Sequence, residues 1–94
     1  MSYDLQAADD IQQFTSFAAA INLTDGDTYP AAKVRGHARR IVVNDTTAGS
    51  TLQVTLAGSN GTARSLTVAD GDVYDGQFTI IGTSTNVTRL TVFW

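Results

Sequence analysis

The sequence contains no cysteine and no glutamate, and it has only one lysine, one histidine and one proline. Without cysteine, neither a disulfide framework nor a thiolate metal site can form. A lone His37 cannot build a multi-histidine centre, and Lys33 is the only side-chain amine. Neither a G-x-S-x-G elbow nor a glycine-rich phosphate loop followed by lysine occurs. Because catalysis needs several convergent polar groups, we expect a protein that is not an enzyme and that uses no cofactor and no metal.

Long apolar runs and excess positive charge are also missing. No run approaches the roughly 20 apolar residues that span a bilayer, so we expect no membrane segment. The formal net charge of −3 argues against a nucleic-acid binder that relies on bulk positive charge. With 94 residues, 43% of them apolar and 16% charged, the chain has the composition of one folded domain.

What the chain does contain is typical of a sheet protein. It has fourteen threonines, eight valines and eight glycines, and β-branched side chains suit a pleated surface. From Arg39 onward, apolar residues alternate with polar ones in short runs separated by glycine-containing turns. Asn60-Gly61 lies between two such runs and predicts a hairpin.

These patterns predict an all-β fold, a small antiparallel β-sandwich of jelly-roll type with roughly six to eight short strands. We expect the sandwich to span residues 25–94. The predicted core consists of the apolar positions that fall on one face of each run, namely Ile41, Val43, Leu52, Val54, Leu56, Leu66, Val68, Phe78, Ile80, Leu90 and Val92.

The N-terminal segment, residues 1–24, has two conflicting patterns and is expected to be an arm. Ile11, Phe14 and Ala18 have helical spacing behind a possible capping box at Asp10 and Gln13. Farther on, residues 17–23 alternate with the period of a strand. We expect a short helix or arm near residues 9–17 that runs into an extended segment.

The densest charge feature is basic. Lys33, Arg35, Arg39 and Arg40 surround His37. Contact with an anionic surface is one interpretation, and pairing with the Asp-rich turns, within the subunit or across an interface, is the simpler one. His37 is expected to be solvated or hydrogen-bonded.

The last strand has apolar side chains on both faces near its end, with Phe93 opposite Val92 and Trp94. Such a strand is expected to be covered on both sides, by the core and by another subunit. Together with the arm and the basic cluster, this predicts partner contacts at Ile11, Phe14, Phe17, Arg35, Arg39, Arg40 and Phe93.

Aspartates gather in the turns at Asp25, Asp27, Asp70, Asp72 and Asp75. They could hold Ca²⁺, but the spacing does not fit an EF-hand loop, and aspartate before glycine is ordinary turn chemistry. We therefore expect turn hydrogen bonds at these aspartates, with Ca²⁺ binding as the alternative.

Five segments carry a resemblance to a known family. They are an opening strand and its Asp/Thr turn, an arginine-led strand, the two arms of a central hairpin and a terminal strand ending in an aromatic residue: 20–28, 39–43, 51–57, 65–68 and 87–94. From about Ala19 to Trp94 the chain is similar to small virion proteins of tailed phages and gene transfer agents, of the head-spike base or capsid-decoration type. The N-terminal 18 residues and the turns at Asp70-Gly71 and Asp75-Gly76 depart from the pattern.

The resemblance implies a non-enzymatic β-sandwich on the capsid surface or at a vertex of a virion. Its expected partners are copies of itself, as a homotrimer or homopentamer, and a major capsid or spike protein. The alternative function is a carbohydrate-binding module. That alternative requires at least two exposed rings among Tyr3, Tyr29, Tyr74 and Trp94 on one concave surface.

Overall fold

The computed structural model describes residues 10–94, apart from the side chains of Ala48 and Thr85. The strands are β1 (Ile11–Phe14), β2 (Ile21–Asn22), β3 (Ala38–Leu56), β4 (Ala63–Thr67) and β5 (Val73–Phe93). A single helical turn, α1 (Ala32–Arg35), precedes β3, and a 3₁₀ turn (Ala57–Ser59) follows it. No helix among residues 10–94 is long and apolar enough to cross a membrane.

The two long strands bend back on themselves. At about 3.3 Å per residue, a straight strand of the length of β5 would extend roughly 70 Å, whereas the longest dimension of the molecule is 36 Å. The pairing register divides β3 into β3a (38–46) and β3b (51–56). It divides β5 into β5a (73–78), β5b (78–85) and β5c (87–93). Residues 10–94 therefore contain eight strand segments.

These eight segments form two four-stranded layers. Sheet I has the order β1, β5c, β3a, β5a, and sheet II has the order β2, β5b, β3b, β4. As the residue numbers rise along β3, the numbers of the paired residues on β5 and β4 fall. β3 is therefore antiparallel to both β5 and β4. Numbered along the chain, the orders are 1-8-3-6 and 2-7-4-5. The first segment pairs with the last, and the second segment pairs with the second-last. This is the double Greek key of a jelly roll. The predicted small antiparallel β-sandwich is confirmed.

The bends between the sheets have local causes. Gly49 (φ 75°) and Asn86 (φ 66°) take left-handed backbone conformations where β3 and β5 cross from one sheet to the other. The buried Ser50 hydroxyl lies between the two crossings, near the Thr47 carbonyl and 3.2 Å from the Asn86 carbonyl. One hydroxyl, which carries a single proton, thus lies within hydrogen-bond distance of backbone acceptors on both crossing segments.

The core lies between the sheets and contains most of the predicted residues. Ile41, Val43, Leu52, Val54, Val68, Phe78, Leu90 and Val92 are buried, and Leu56 and Leu66 are half-buried against them. The prediction that Ile80 belongs to the core was wrong: Ile81 is fully buried, and Ile80 is only half-buried. From Phe78 to Ile80 the pairing moves by two residues along β5, whereas it moves by only one residue along β3. This bulge reverses which β5b residues face inward.

Residues 11–14 and 21–22 are strands of the sandwich, so the short helix expected near residues 9–17 was wrong, whereas the extended segment expected after it is confirmed. β1 pairs with β5c and β2 pairs with β5b. Phe17 and Leu23 join the core, and Phe14 packs against it. The edges of β5 need hydrogen-bond partners, and strand pairing supplies them where a helix could not. The first nine residues of the predicted arm lie outside the described residues.

Trp94 fastens this segment to the end of β5. Its indole Nε1–H donates to the Leu23 carbonyl at 2.9 Å, and its backbone N–H donates to the Asp10 carbonyl at 2.9 Å. The ring stacks on Tyr29 with centroids 5.0 Å apart. Tyr29 in turn meets the edge of Phe14 at 5.8 Å. The aromatic cluster therefore links the beginning and the end of the described chain.

Candidate functional site

The aromatic residues predicted to contact a partner belong to the chain's own packing. Phe17 is 9% exposed, Phe93 is 2% exposed and Phe14 is half-buried. Phe17 and Phe93 are thus buried by their own chain, and their contact with a partner stays a prediction. Ile11, the fourth apolar candidate, remains 39% exposed at the edge of sheet I.

The last strand is covered on both faces, but the covering lies within one chain. Phe93 and its neighbour in sheet I, Val42, point away from the core cluster and are both buried. Burial of β5c therefore does not require a second subunit.

Two of the four cationic residues in the basic cluster, Lys33 and Arg40, follow the simpler interpretation. Arg40 donates from Nε to the Asp75 carboxylate at 2.6 Å, and Lys33 lies 3.6 Å from Asp27. Both pairs are at least partly exposed and contribute little to stability. Arg35 is exposed at the end of α1. The cluster is thus partly neutralised by aspartates of the same chain.

Two basic residues have individual environments. His37 lies 3.0 Å from the Ala38 carbonyl through Nδ1, so this nitrogen donates. The expectation of a hydrogen-bonded histidine is confirmed. Arg39 is half-buried, and its Nε and Nη2 atoms are buried with no hydrogen-bond acceptor among the described residues.

Two of the five aspartates in the turns, Asp25 and Asp72, make hydrogen bonds within their own turns. Asp25 accepts from the Thr28 hydroxyl at 2.8 Å and from the Asp27 N–H at 3.1 Å. These bonds, the hydroxyl first, hold the pKa of the Asp25 carboxyl below its ordinary value. Among residues 10–94, no three His, Cys, Asp or Glu side chains come together in a way that could hold a metal ion.

Asp72 and Tyr74 belong to a second group of hydrogen bonds at a turn. Asp72 accepts from the Ala69 N–H at 2.9 Å and from the Tyr74 hydroxyl at 3.1 Å. Burial raises the pKa of the Tyr74 hydroxyl, and the hydrogen bond to the Asp72 carboxylate and its charge raise it further. The unit fixes the turn that leads into β5a.

A cleft of about 620 Å³ opens between the two sheets beside this turn. β4 and β5a border it, and each is the last strand of its sheet. The cleft walls are mainly apolar and are formed by Val54, Leu56, Leu66, Tyr74 and Phe78. Ser59, Arg64, Asp75 and Gln77 contribute polar groups. This volume lies within the range of known binding pockets, about 300–1,000 Å³.

The cleft was not anticipated from the sequence. Its strands, β3b, β4 and β5a, come from different parts of the chain, and only the pairing order brings their ends together. The available signal was the pair of closely spaced turns at Asp70-Gly71 and Asp75-Gly76, which bracket β5a. None of the predicted partner-contact residues lines the cleft, although Arg40 reaches it through its pair with Asp75.

The rings required for a carbohydrate platform do not meet on one exposed surface in residues 10–94. Trp94 is fully buried and Tyr29 stacks on it. Tyr74 lies in the edge strand β5a, whereas Tyr29 contacts Phe14 of the opposite edge strand, β1. Tyr3 lies outside the described residues.

Comparison with protein-family models, with curated proteins and with solved structures finds no match to this chain.

Proposed function

We propose that this chain is a non-enzymatic structural protein of a phage-like particle, a capsid decoration or head-spike base protein. It acts by oligomerising and by attaching to a capsid or spike protein. The observation that carries the proposal is the strand order, 1-8-3-6 over 2-7-4-5. This is the jelly-roll order that viral capsid domains use, and the resemblance described above points to the same class.

The chemistry of the cleft supports binding of protein over catalysis. Its walls are apolar, and the one carboxylate among its lining residues, Asp75, is paired with Arg40. Such a surface suits an apolar contact with a polar rim, as in protein interfaces. Jelly rolls also occur in lectins, but the cleft contains a single aromatic ring with a polar group, Tyr74, and so lacks the paired platform.

Density-gradient fractionation of particles from the native source tests this function, because fold alone does not determine it. We expect an antibody against the chain to detect it in the fractions that hold DNA-filled particles, before and after a high-salt wash. Recovery of the chain only among the free proteins at the top of the gradient would contradict the proposal.

A further inference from the structure

The free edge of β4 presents a row of unused backbone groups beside the cleft. The Val68 N–H donates to the Ser50 carbonyl at 3.2 Å, which sets the phase of the ladder between β3b and β4. In that phase Arg64 and Leu66 direct their N–H and C=O groups toward β3b. Ala63, Ser65 and Thr67 direct theirs away from it, and no strand of the described chain lies beyond β4.

Side chains on the inner face of β4 connect this edge to the cleft. Leu66 pairs with the buried Leu52, and Arg64 pairs with the buried Val54, so both point toward the space between the sheets. Both line the cleft. A strand added beyond β4 would direct every second side chain into the same space. The ladder and the apolar cleft thus fit one extended segment.

The charge at the cleft rim selects the kind of segment. Arg64 is exposed and forms no ion pair with a described residue. Across the cleft, the Arg40 guanidinium compensates the Asp75 carboxylate at 2.6 Å. The rim therefore offers one uncompensated positive charge, which complements a carboxylate.

We propose that the cleft binds an extended segment of a partner protein by strand addition to β4. The segment places apolar side chains against Leu56, Leu66 and Phe78 and a carboxylate beside Arg64. Backbone hydrogen bonds to Ala63, Ser65 and Thr67 supply affinity, and the cleft supplies specificity. The inference rests on the proposed function, in which the partner is a capsid or spike protein.

Nuclear magnetic resonance titration of the ¹⁵N-labelled full chain provides the test. The probe is an acetylated heptapeptide with threonine at positions 1, 3, 5 and 7, leucine at positions 2 and 6 and aspartate at position 4, so that the carboxylate and the apolar side chains share one face of the strand. Two comparison peptides are used. In one, lysine replaces the aspartate, and in the other, alternate backbone amides are N-methylated. We expect the first peptide to shift the amides of Ala63, Ser65 and Thr67, and each comparison peptide to bind roughly tenfold more weakly or worse.

Two variants separate the backbone contribution from the charge contribution. Ser65→Pro removes an N–H that points to the free edge and leaves the ladder to β3b complete, since an edge strand tolerates proline there. Arg64→Glu reverses the rim charge. We expect each variant to bind the aspartate peptide at least about tenfold more weakly than the unaltered chain.

Matched controls lie on the opposite side of the sandwich. In β1, the bond from the Trp94 N–H to the Asp10 carbonyl sets a phase in which Gln13 faces the free edge of sheet I. Gln13→Pro is therefore the same change on the other edge. Arg89→Glu is the same charge reversal at an exposed position of β5c. We expect both controls to bind the peptide as the unaltered chain does.

Different results would contradict the proposed binding mode and the proposed function. Unchanged binding by Ser65→Pro and Arg64→Glu, or shifts confined to other strands, would overturn the proposal. Concentration-dependent shifts at β4 without peptide would assign the cleft to a second copy and would also overturn it. Particle fractionation is independent of these results: peptide binding by a chain that does not sediment with particles would overturn the proposed function alone.

Discussion

At the level of single residues, a few side chains connect segments that are distant in the sequence. Trp94 binds the Leu23 carbonyl, Ser50 lies between two chain crossings, and Asp72 holds both Ala69 and Tyr74. Each of these groups is polar and at least partly buried, so the loss of a partner leaves an unsatisfied donor or acceptor. These residues give the most specific tests of the fold.

Trp94→Phe removes one buried hydrogen bond and keeps an aromatic ring beside Tyr29. We expect the free energy of unfolding to fall by about 1–3 kcal/mol, since the Leu23 carbonyl loses its donor. Urea unfolding followed by circular dichroism measures this, because Trp94 is the only tryptophan. A Trp94→Phe variant as stable as the unaltered chain would show that the bond contributes nothing.

Burial, and after it the Asp72 carboxylate, are expected to raise the pKa of Tyr74. The pKa of Tyr74 is raised above 10.0, so the folded state holds the phenolic proton more tightly than the unfolded state. The associated stability is present below pH 10 and is lost as the pH rises through the folded pKa. Asp72→Asn removes the charge and should lower the pKa of Tyr74, measured by tyrosinate absorbance. Asp70→Asn is the matched control, and an equal shift in both variants would contradict the assignment.

At the scale of elements, the sequence predicts strands better than it predicts where they bend. Alternation correctly assigned Ile41, Leu52 and Leu90 to the core because each lies within a regular ladder. It failed at Ile80, where a bulge inserts one residue and no local pattern marks the insertion. Long-range pairing, which a single segment does not encode, decides such positions.

The N-terminal segment shows the same limit. Helical and strand periods overlapped in residues 11–23, and the unpaired edges of β5 resolved the conflict in favour of strands. The cleft could not be predicted either, because its walls come together only when both sheets are complete. By contrast, the hairpin at Asn60-Gly61 was predictable, since both residues take the positive φ angles that the turn requires.

The bend within β3 is expected to require glycine at position 49. Gly49→Ala places a side chain at φ 75° and should cost about 1–2 kcal/mol of stability. Gly58→Ala is the matched control: its added methyl would meet open space at an ordinary φ. Thermal unfolding of both variants measures the difference. Equal melting temperatures would contradict a strained bend at Gly49.

Deleting residues 1–24 is expected to abolish folding. The deletion removes β1, β2 and the buried side chains of Phe17 and Leu23. Leu23→Ala alone should cost about 2–5 kcal/mol, as do other truncations of buried leucine. Loss of a cooperative thermal transition checks the prediction. A deleted chain that unfolds cooperatively would restore the view of this segment as a separate arm.

At the scale of the whole molecule, the 10.0 kDa chain forms a sandwich that covers both faces of its last strand and has an open cleft at one side of its described residues. The open side lies between the free edges of β4 and β5a. Natural proteins usually protect such edges with short strands, charges or a covering partner. β4 is short and carries Arg64, and the cleft beside it remains available for contact.

Oligomerisation is the second expectation at this scale. Small domains bury a limited fraction of their surface, and closed rings of identical subunits extend that burial. Multi-angle light scattering is expected to give three or five times the chain mass. A mass of 10.0 kDa at high protein concentration would exclude the homotrimer and the homopentamer.

A near-atomic reconstruction of particles from the native source tests the proposed function and the proposed binding mode together. We expect density for the eight-segment sandwich at the capsid surface or at a vertex, with an extended segment of a neighbouring protein paired to β4 along the cleft. A particle whose density is fully explained without this chain would contradict the proposed function. A particle that contains the chain with β4 facing solvent would contradict the binding mode.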